Sequence, residues 1–292
     1  MLARKTFCVA GHTFSFLADE EKMSKLMLDN YAPFEAEGGE DLFCVELVDS
    51  VDTSGKEQIY VTSPESGEQR IDLYSVDGGY LFEMSPEGNM PVTAWLRCDP
   101  SFTEGKLSTM GKFRNFAVNN ALMLMYAFRT ASLGTLEMHA SVTVKDDKGY
   151  LFLAKSGTGK STHSRMWLEN IPGTHLLNDD NPVVRFKDGK TIVYGTPWSG
   201  KTPCYRNEEY PVGAFVRINR APRNFISRMS LPEAFASVSS SSSGLRAIKG
   251  MGDGLFETIS GIVQDVPCYL LDCLPDKEAA QVCCSEVTKG NG

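Results

Sequence analysis

Residues 156–162, Ser156-Gly157-Thr158-Gly159-Lys160-Ser161-Thr162, gather two glycines, a lysine and several hydroxyls into one short segment. A polyphosphate must be held by many donors at close range. Successive backbone N–H groups can supply them where side chains leave room, and Gly157 and Gly159 provide both that room and access to positive φ. Lys160 places a positive charge against the β- and γ-phosphates, and the Ser161 hydroxyl is suited to ligate Mg²⁺. Leu151-Phe152-Leu153 before the loop reads as a strand. Lys160–Asn170 after it reads as a helix, whose first N–H groups add to an anion site. Ala154 stands where the full G-x-x-x-x-G-K-[ST] pattern has its first glycine. ATP and Mg²⁺ are therefore the expected ligands, with Ser156 through Thr162 binding the nucleotide.

Two aspartates, Asp179 and Asp180, close the strand-like run HLLNDD (175–180). In a parallel sheet the C-terminal ends of neighbouring strands meet at the ligand crevice, so the pair is expected beside the phosphates. One carboxylate is enough to hold Mg²⁺. A second allows a division of labour, in which one serves the metal and the other takes a proton from an acceptor hydroxyl. His139 heads the strand HASVTVK (139–145), which turns through Asp146-Asp147-Lys148-Gly149 into YLFLAK (150–155). That hairpin returns His139 to the neighbourhood of the loop, within reach of phosphate or metal. His163, on the following helix, reads as a surface residue. Lys201 and Arg206 lie in the loop GTPWSGKTPCYRN (195–207), which could cover the site and neutralise transferring charge.

The surrounding elements must position these groups. VVRFK and KTIVY pair around Asp188-Gly189, GAFVRINR (213–220) and FISRMS (225–230) read as strands, and Ser230 with Glu233 forms a capping box for a helix from Leu231. The serine run 239–243 reads as a mobile loop. Residues 254–265, 267–273 and 276–287 close the chain as helix, strand, helix. Upstream, runs such as FCVAGHTFSFL (7–17), LFCVELVDS (42–50), RIDLYSV (70–76) and YLFEMS (80–85), with a turn at Asp77-Gly78-Gly79, predict a small antiparallel β-rich domain over 1–112. Residues 114–133 carry apolar side chains at helical spacing, with Gly134 as a stop. This helix is expected to open a second domain, 113–292.

The 292 residues carry a net charge of −8, unevenly spread. Residues 1–100 hold 19 acidic and 7 basic residues, and the remainder 18 and 22, so anion binding belongs to the second part. No Lys/Arg stripe with interleaved aromatics points to nucleic acid. No apolar stretch approaches the ~20 residues of a membrane span, and the N-terminus lacks the apolar core of a signal peptide. The 8 cysteines form no Cys-x-x-Cys pair, which suits buried or inert thiols in a reducing cytoplasm.

The motifs MHASVTV, AKSGTGKST and LLNDDN, in that order and with an antiparallel partner ahead of the loop strand, resemble HPr kinase/phosphorylase. More distantly they resemble ATP-dependent phosphoenolpyruvate carboxykinase. The resemblance implies an α/β fold: a mixed-sheet P-loop domain of the kind these families share, covering about 135–290, behind the β-rich domain. It also implies that Lys160 contacts the β/γ-phosphates and Ser161 the metal. Asp179 would be the general base, Asp180 a metal-linked carboxylate, and His139 a residue at metal or phosphate. The segment GTPWSGKTPCYRN replaces the kinase family's Arg-Gly-x-Gly signature, so phosphorolysis and HPr itself as acceptor do not carry over. The expectation is an ATP/Mg²⁺-dependent kinase. It would phosphorylate a hydroxyl, that of a seryl protein, a peptide or a small molecule, with Asp179, Lys160, His139 and Arg206 as its catalytic groups. A carboxykinase-like lyase and a nucleotide-binding regulator without transfer activity are the alternatives. The oligomeric state, homo-oligomer or monomer, stays open.

Overall fold

Ala10 and Gly11 take φ values of 50° and 74°. This tight turn folds the expected single run 7–17 into a hairpin of β1 (Leu2–Val9) and β2 (His12–Asp19). The structure, a computed structural model, describes residues 1–62, 68–200, 202–243 and 251–289. They divide into two compact units, Met1–Arg129 and Thr130–Gly292.

The first unit continues with α1 (Glu20–Met23), β3 (Cys44–Leu47), β4 (Glu57–Tyr60), β5 (Arg70–Val76), β6 (Gly79–Ser85), β7 (Ala94–Cys98) and β8 (Glu104–Thr109). One eight-stranded sheet runs β1-β2-β3-β8-β7-β6-β5-β4. It is mixed rather than antiparallel throughout, because β3 lies parallel to both β2 and β8. The long connections around β3 permit those pairings, which a hairpin cannot make. The helix α2 (Arg114–Thr130) belongs to this unit, so the boundary falls at 129/130 and not at 112/113. Its apolar face explains the assignment. Phe128 packs on Phe82 and Phe102, with ring centroids 5.4 and 4.9 Å apart, and Tyr126 donates its hydroxyl hydrogen to the Val9 carbonyl at 3.1 Å.

The second unit contains β9 (Thr135–Glu137), β10 (Ala140–Lys145), β11 (Lys148–Leu153), α3 (Lys160–Asn170), β12 (His175–Asn178), β13 (Val183–Lys187), β14 (Lys190–Tyr194) and β15 (Glu209–Arg220). They are followed by β16 (Phe225–Arg228), α4 (Leu231–Ser241), α5 (Met251–Asp265), β17 (Cys268–Cys273) and α6 (Lys277–Val287). Its sheet is ordered β12-β10-β11-β15-β14-β13-β9. β15 is long enough to pair through residues 209–211 with β14 and through 215–220 with β17. Apolar side chains of the sheet bury against α4 and α5 in one cluster, around Val142, Phe215, Val238 and Ile262. A second cluster, around Phe152, Trp167, Val216 and Cys283, buries against α3 and α6. Each fully buried large side chain contributes roughly 1.5–3 kcal/mol, and two such faces fix the sheet between its helices.

The β10–β11 and β13–β14 hairpins turn where expected, with Asp146, Asp147 and Asp188 at positive φ. The capping box holds as well: the Glu233 carboxylate accepts from the Ser230 backbone N–H at 2.8 Å and from its hydroxyl at 2.6 Å. The serine run does not form a loop over its first part, since Ser239, Ser240 and Ser241 are the last turn of α4. The register between β10 and β12 shifts at Val142/Thr143, where Val142 faces Asn178 and Thr143 faces Leu176. Leu177 is thus an extra residue in β12, and Leu177 and Asn178 are buried in succession. Among the described residues no helix is long and apolar enough to cross a membrane.

Candidate functional site

β10 runs antiparallel to both of its neighbours, β11 and β12. Those two therefore point the same way, and the start of β10 lies at the end where they finish. The aspartate strand does not abut the loop strand, as expectation had it; β10 stands between them. The effect is convergence of His139, just before β10, the glycine loop after β11, and Asp179-Asp180 after β12.

The loop has the conformation its glycines allow. Gly157 and Gly159 sit at φ 71° and 127°, and a Cβ on Gly157 would meet no atom within 4 Å. Gly159 is the N-cap of α3, so no side chain caps the first N–H groups of that helix; they remain available to an anion. Ser161 is exposed on the first turn. Arg220 clamps the outside of the loop, donating from Nε to the Thr158 carbonyl at 2.9 Å and from Nη2 to the Gly157 carbonyl.

Lys160 is buried, at 7% exposure. Its Nζ lies 2.8 Å from His139 Nε2 and 3.5 Å from the Ala154 carbonyl. A charged ammonium only donates, so His139 facing one would accept at Nε2 with its hydrogen on Nδ1. Burial pulls the Lys160 ammonium below the usual lysine range, against the opposing pull of Asp180 and Asp179. His139 Nε2 also stands 3.5 Å from Asp180 Oδ1.

Asp179 is oriented from the other side. Ser141 donates its hydroxyl hydrogen to Asp179 Oδ1 at 2.9 Å. Having spent that proton, Ser141 must accept from Ser164, whose oxygen lies 2.5 Å away. The loop carrying the pair is pinned by Asn178, whose Oδ1 accepts from the N–H groups of Asp180 and Asn181, both at 2.9 Å. Asn178 Nδ2 donates to Thr196 Oγ1 and the Trp198 carbonyl. Glu137, at the end of β9, is fully buried, and burial pushes its carboxyl up to about 7.

Several expected roles meet a different placement. Arg206 pairs with Glu208 at 3.2 Å on an exposed loop, and none of its recorded partners belongs to the cluster of Lys160, His139, Asp179 and Asp180. Lys201 lies outside the described residues. His163 is buried, not superficial: it accepts from Trp167 Nε1 at 3.2 Å and meets the Phe152 ring edge-on. Burial pulls its imidazole down to about 4, because the α3 face that turns toward the sheet includes position 163.

Two features were not read from the sequence. Arg217, in β15, donates from Nε to Ser237 Oγ at 2.6 Å. Its Nη2 donates to the Ser237 carbonyl at 2.6 Å and to the hydroxyls of Ser240 and Ser241, both at 2.8 Å. The available signal was a lone charge inside the apolar run GAFVRIN. The second feature is a cleft of about 350 Å³ beside the loop, with Gly159, Met166, Ile218, Ala221, Leu274 and Pro275 among its lining residues. Its walls come from distant parts of the chain, so only the fold assembles it.

Among the described residues no cluster of three or more His, Cys, Asp or Glu side chains is arranged to hold a metal by itself. This donor set suits Mg²⁺ arriving with a nucleotide, which keeps phosphate and water ligands and needs only one or two protein groups. Ser161 and Asp180 could supply these. A metal on His139 Nε2 would have to displace the Lys160 ammonium.

No family model matches the chain, and no curated protein does. Among solved structures, the HPr(Ser) kinase/phosphatase from Coxiella burnetii is similar over 53% of this chain and 99% of its own, at 13% identity and a TM-score of 0.33.

Proposed function

We propose that the second unit binds ATP with Mg²⁺ and transfers the γ-phosphoryl group to a hydroxyl, that of a seryl protein, a peptide or a small molecule, in the cytoplasm. The observation that carries this reading is the placement of the buried Lys160 ammonium at an uncapped helix N-terminus, against His139, with Asp180 beside that histidine and Asp179 next to it in the chain. The phosphates would lie in the loop, with Lys160 against the β- and γ-oxygens. The neighbouring cleft, with its apolar walls, would take the base. Mg²⁺ would neutralise charge on the phosphates, held by Ser161 and Asp180.

Asp179 is the residue suited to accept the acceptor's proton. Its carboxylate is aimed by Ser141, which is fixed in turn by Ser164, so the base does not need to be ordered at the moment of reaction. Asp180, next to His139, faces the metal side. His139 keeps Lys160 directed into the site.

The test is labelled ATP with Mg²⁺, incubated with free serine, seryl peptides and extract proteins. Label on a hydroxyl is the expected result. Phosphoenolpyruvate formation from oxaloacetate at an enzymatic rate would favour a lyase instead. ATP binding without any transfer would favour a regulator. Lys160→Ala is the control: it should abolish most of the thermal stabilisation by ATP, a charge-assisted contact of about 1.5–3 kcal/mol, and leave melting of the free protein unchanged.

A further inference from the structure

We propose that Arg217 is a second cation of the phosphate site and contacts the γ-phosphoryl group directly, with Ser237, Ser240 and Ser241 as the cage that aims it. The inference rests on the ATP-binding reading above.

Two placements carry it. Arg217 lies opposite Leu153 in the parallel β11–β15 ladder. Leu153 ends the strand that enters the glycine loop, so Arg217 stands at the mouth of the site. The cage is shared with the site: the Ser241 hydroxyl holds Arg217, while the Ser241 carbonyl accepts from the His139 backbone N–H at 2.7 Å. His139 is the residue on Lys160, so one turn of α4 fixes both cations. Two cations aimed from one turn repel, and a dianionic γ-phosphoryl group between them offsets that cost. The guanidinium is half-buried and its recorded acceptors are neutral, three hydroxyls and a carbonyl. Hydroxyls orient a guanidinium without cancelling its charge, and the planar fork suits phosphate oxygens. Spreading positive charge over equatorial oxygens is what phosphoryl transfer requires.

The experiment compares titrations of a non-hydrolysable ATP analogue and of ADP, each with Mg²⁺, into the full chain, its Arg217→Gln variant and its Lys160→Ala variant, alongside melting of each free protein. Arg217→Gln should weaken analogue binding by about tenfold or more while ADP binding changes by less than about twofold. Arg217→Lys should recover part of the loss. Equal weakening for both nucleotides, or no weakening for either with melting intact, overturns the assignment. If Arg217→Gln melts early, the double variant Ser240→Ala/Ser241→Ala answers in its place. It keeps the arginine and loosens its aim, so the preference for the analogue over ADP should shrink, and an unchanged preference overturns the inference. A wild-type chain that binds neither nucleotide overturns the parent reading as well. A wild type that binds and a Lys160→Ala that does not, with Arg217→Gln behaving as wild type, overturns this inference alone.

Discussion

Asp179 and Asp180 are adjacent in sequence and differently engaged, one by the Ser141–Ser164 hydroxyl relay and the other by His139. Asp179→Asn should bind Mg-ATP like the wild type and transfer phosphate about 10²–10⁴-fold more slowly, the usual range for a lost general base. Asp180→Asn should weaken nucleotide binding with Mg²⁺ present and leave it little changed without. Titrations in both conditions distinguish them, and identical defects would defeat the division of labour. His163 supplies a pH-dependent expectation unrelated to catalysis. Its folded value, about 4, lies below the ordinary 6.5. The unfolded chain therefore takes up the proton first as pH falls, and stability present above 6.5 drains away toward 4. At 1.36 kcal/mol per pKa unit, the loss is at most about 3 kcal/mol. His163→Gln keeps an acceptor for Trp167, and its urea midpoint should fall less between pH 7 and 4.5 than that of the wild type.

At the scale of elements, what was legible in the sequence was local. Asp146-Asp147 and Asp188-Gly189 mark turns whose positive φ few other residues accept, and Ser230 with Glu233 announces α4. The glycine loop reads as itself because its chemistry is consecutive. The pairing of β3 with β2 and β8 was not legible, since parallel neighbours are chosen by long connections that leave no local mark. The serine run misled because its hydroxyls bond the backbone of the preceding turn and Arg217, a compensation that only the folded chain supplies. Arg217 was missed for the same reason: strand position gave it no motif. Close approaches between elements are equally invisible beforehand. A Cβ on Gly195, just past β14, would fall 2.0 Å from the Arg206 carbonyl. Gly195→Ala should therefore force the two backbone segments apart and lower stability by about 1–3 kcal/mol. An unfolding midpoint equal to that of the wild type would contradict that packing.

For the whole molecule, the assignment of α2 to the first unit has a practical outcome. A fragment of residues 1–129 keeps Tyr126 on the Val9 carbonyl and Phe128 against Phe82 and Phe102. A fragment ending at 112 loses a whole layer over the sheet. The longer piece should melt cooperatively with near-ultraviolet dichroism from its packed aromatics, and the shorter should lack both. Cooperative melting of the 1–112 piece would move the boundary back. The charge asymmetry follows the same division, with the acidic excess in the first unit and Lys160, Arg217 and Arg220 all in the second.

The extra residue in β12 decides how this chain can vary. Pleated strands alternate their sides, so the bulge resets the phase of everything after it. With Leu177 inserted, consecutive residues turn inward, one to fill the core and the next, Asn178, to pin the aspartate loop. Exchanging side chains along β12 leaves that phase intact, whereas dropping a single residue would turn Asp179 away from Ser141. Apart from Leu177 and Asn178, whose side chains have their own duties, length rather than composition is therefore what this strand has to keep.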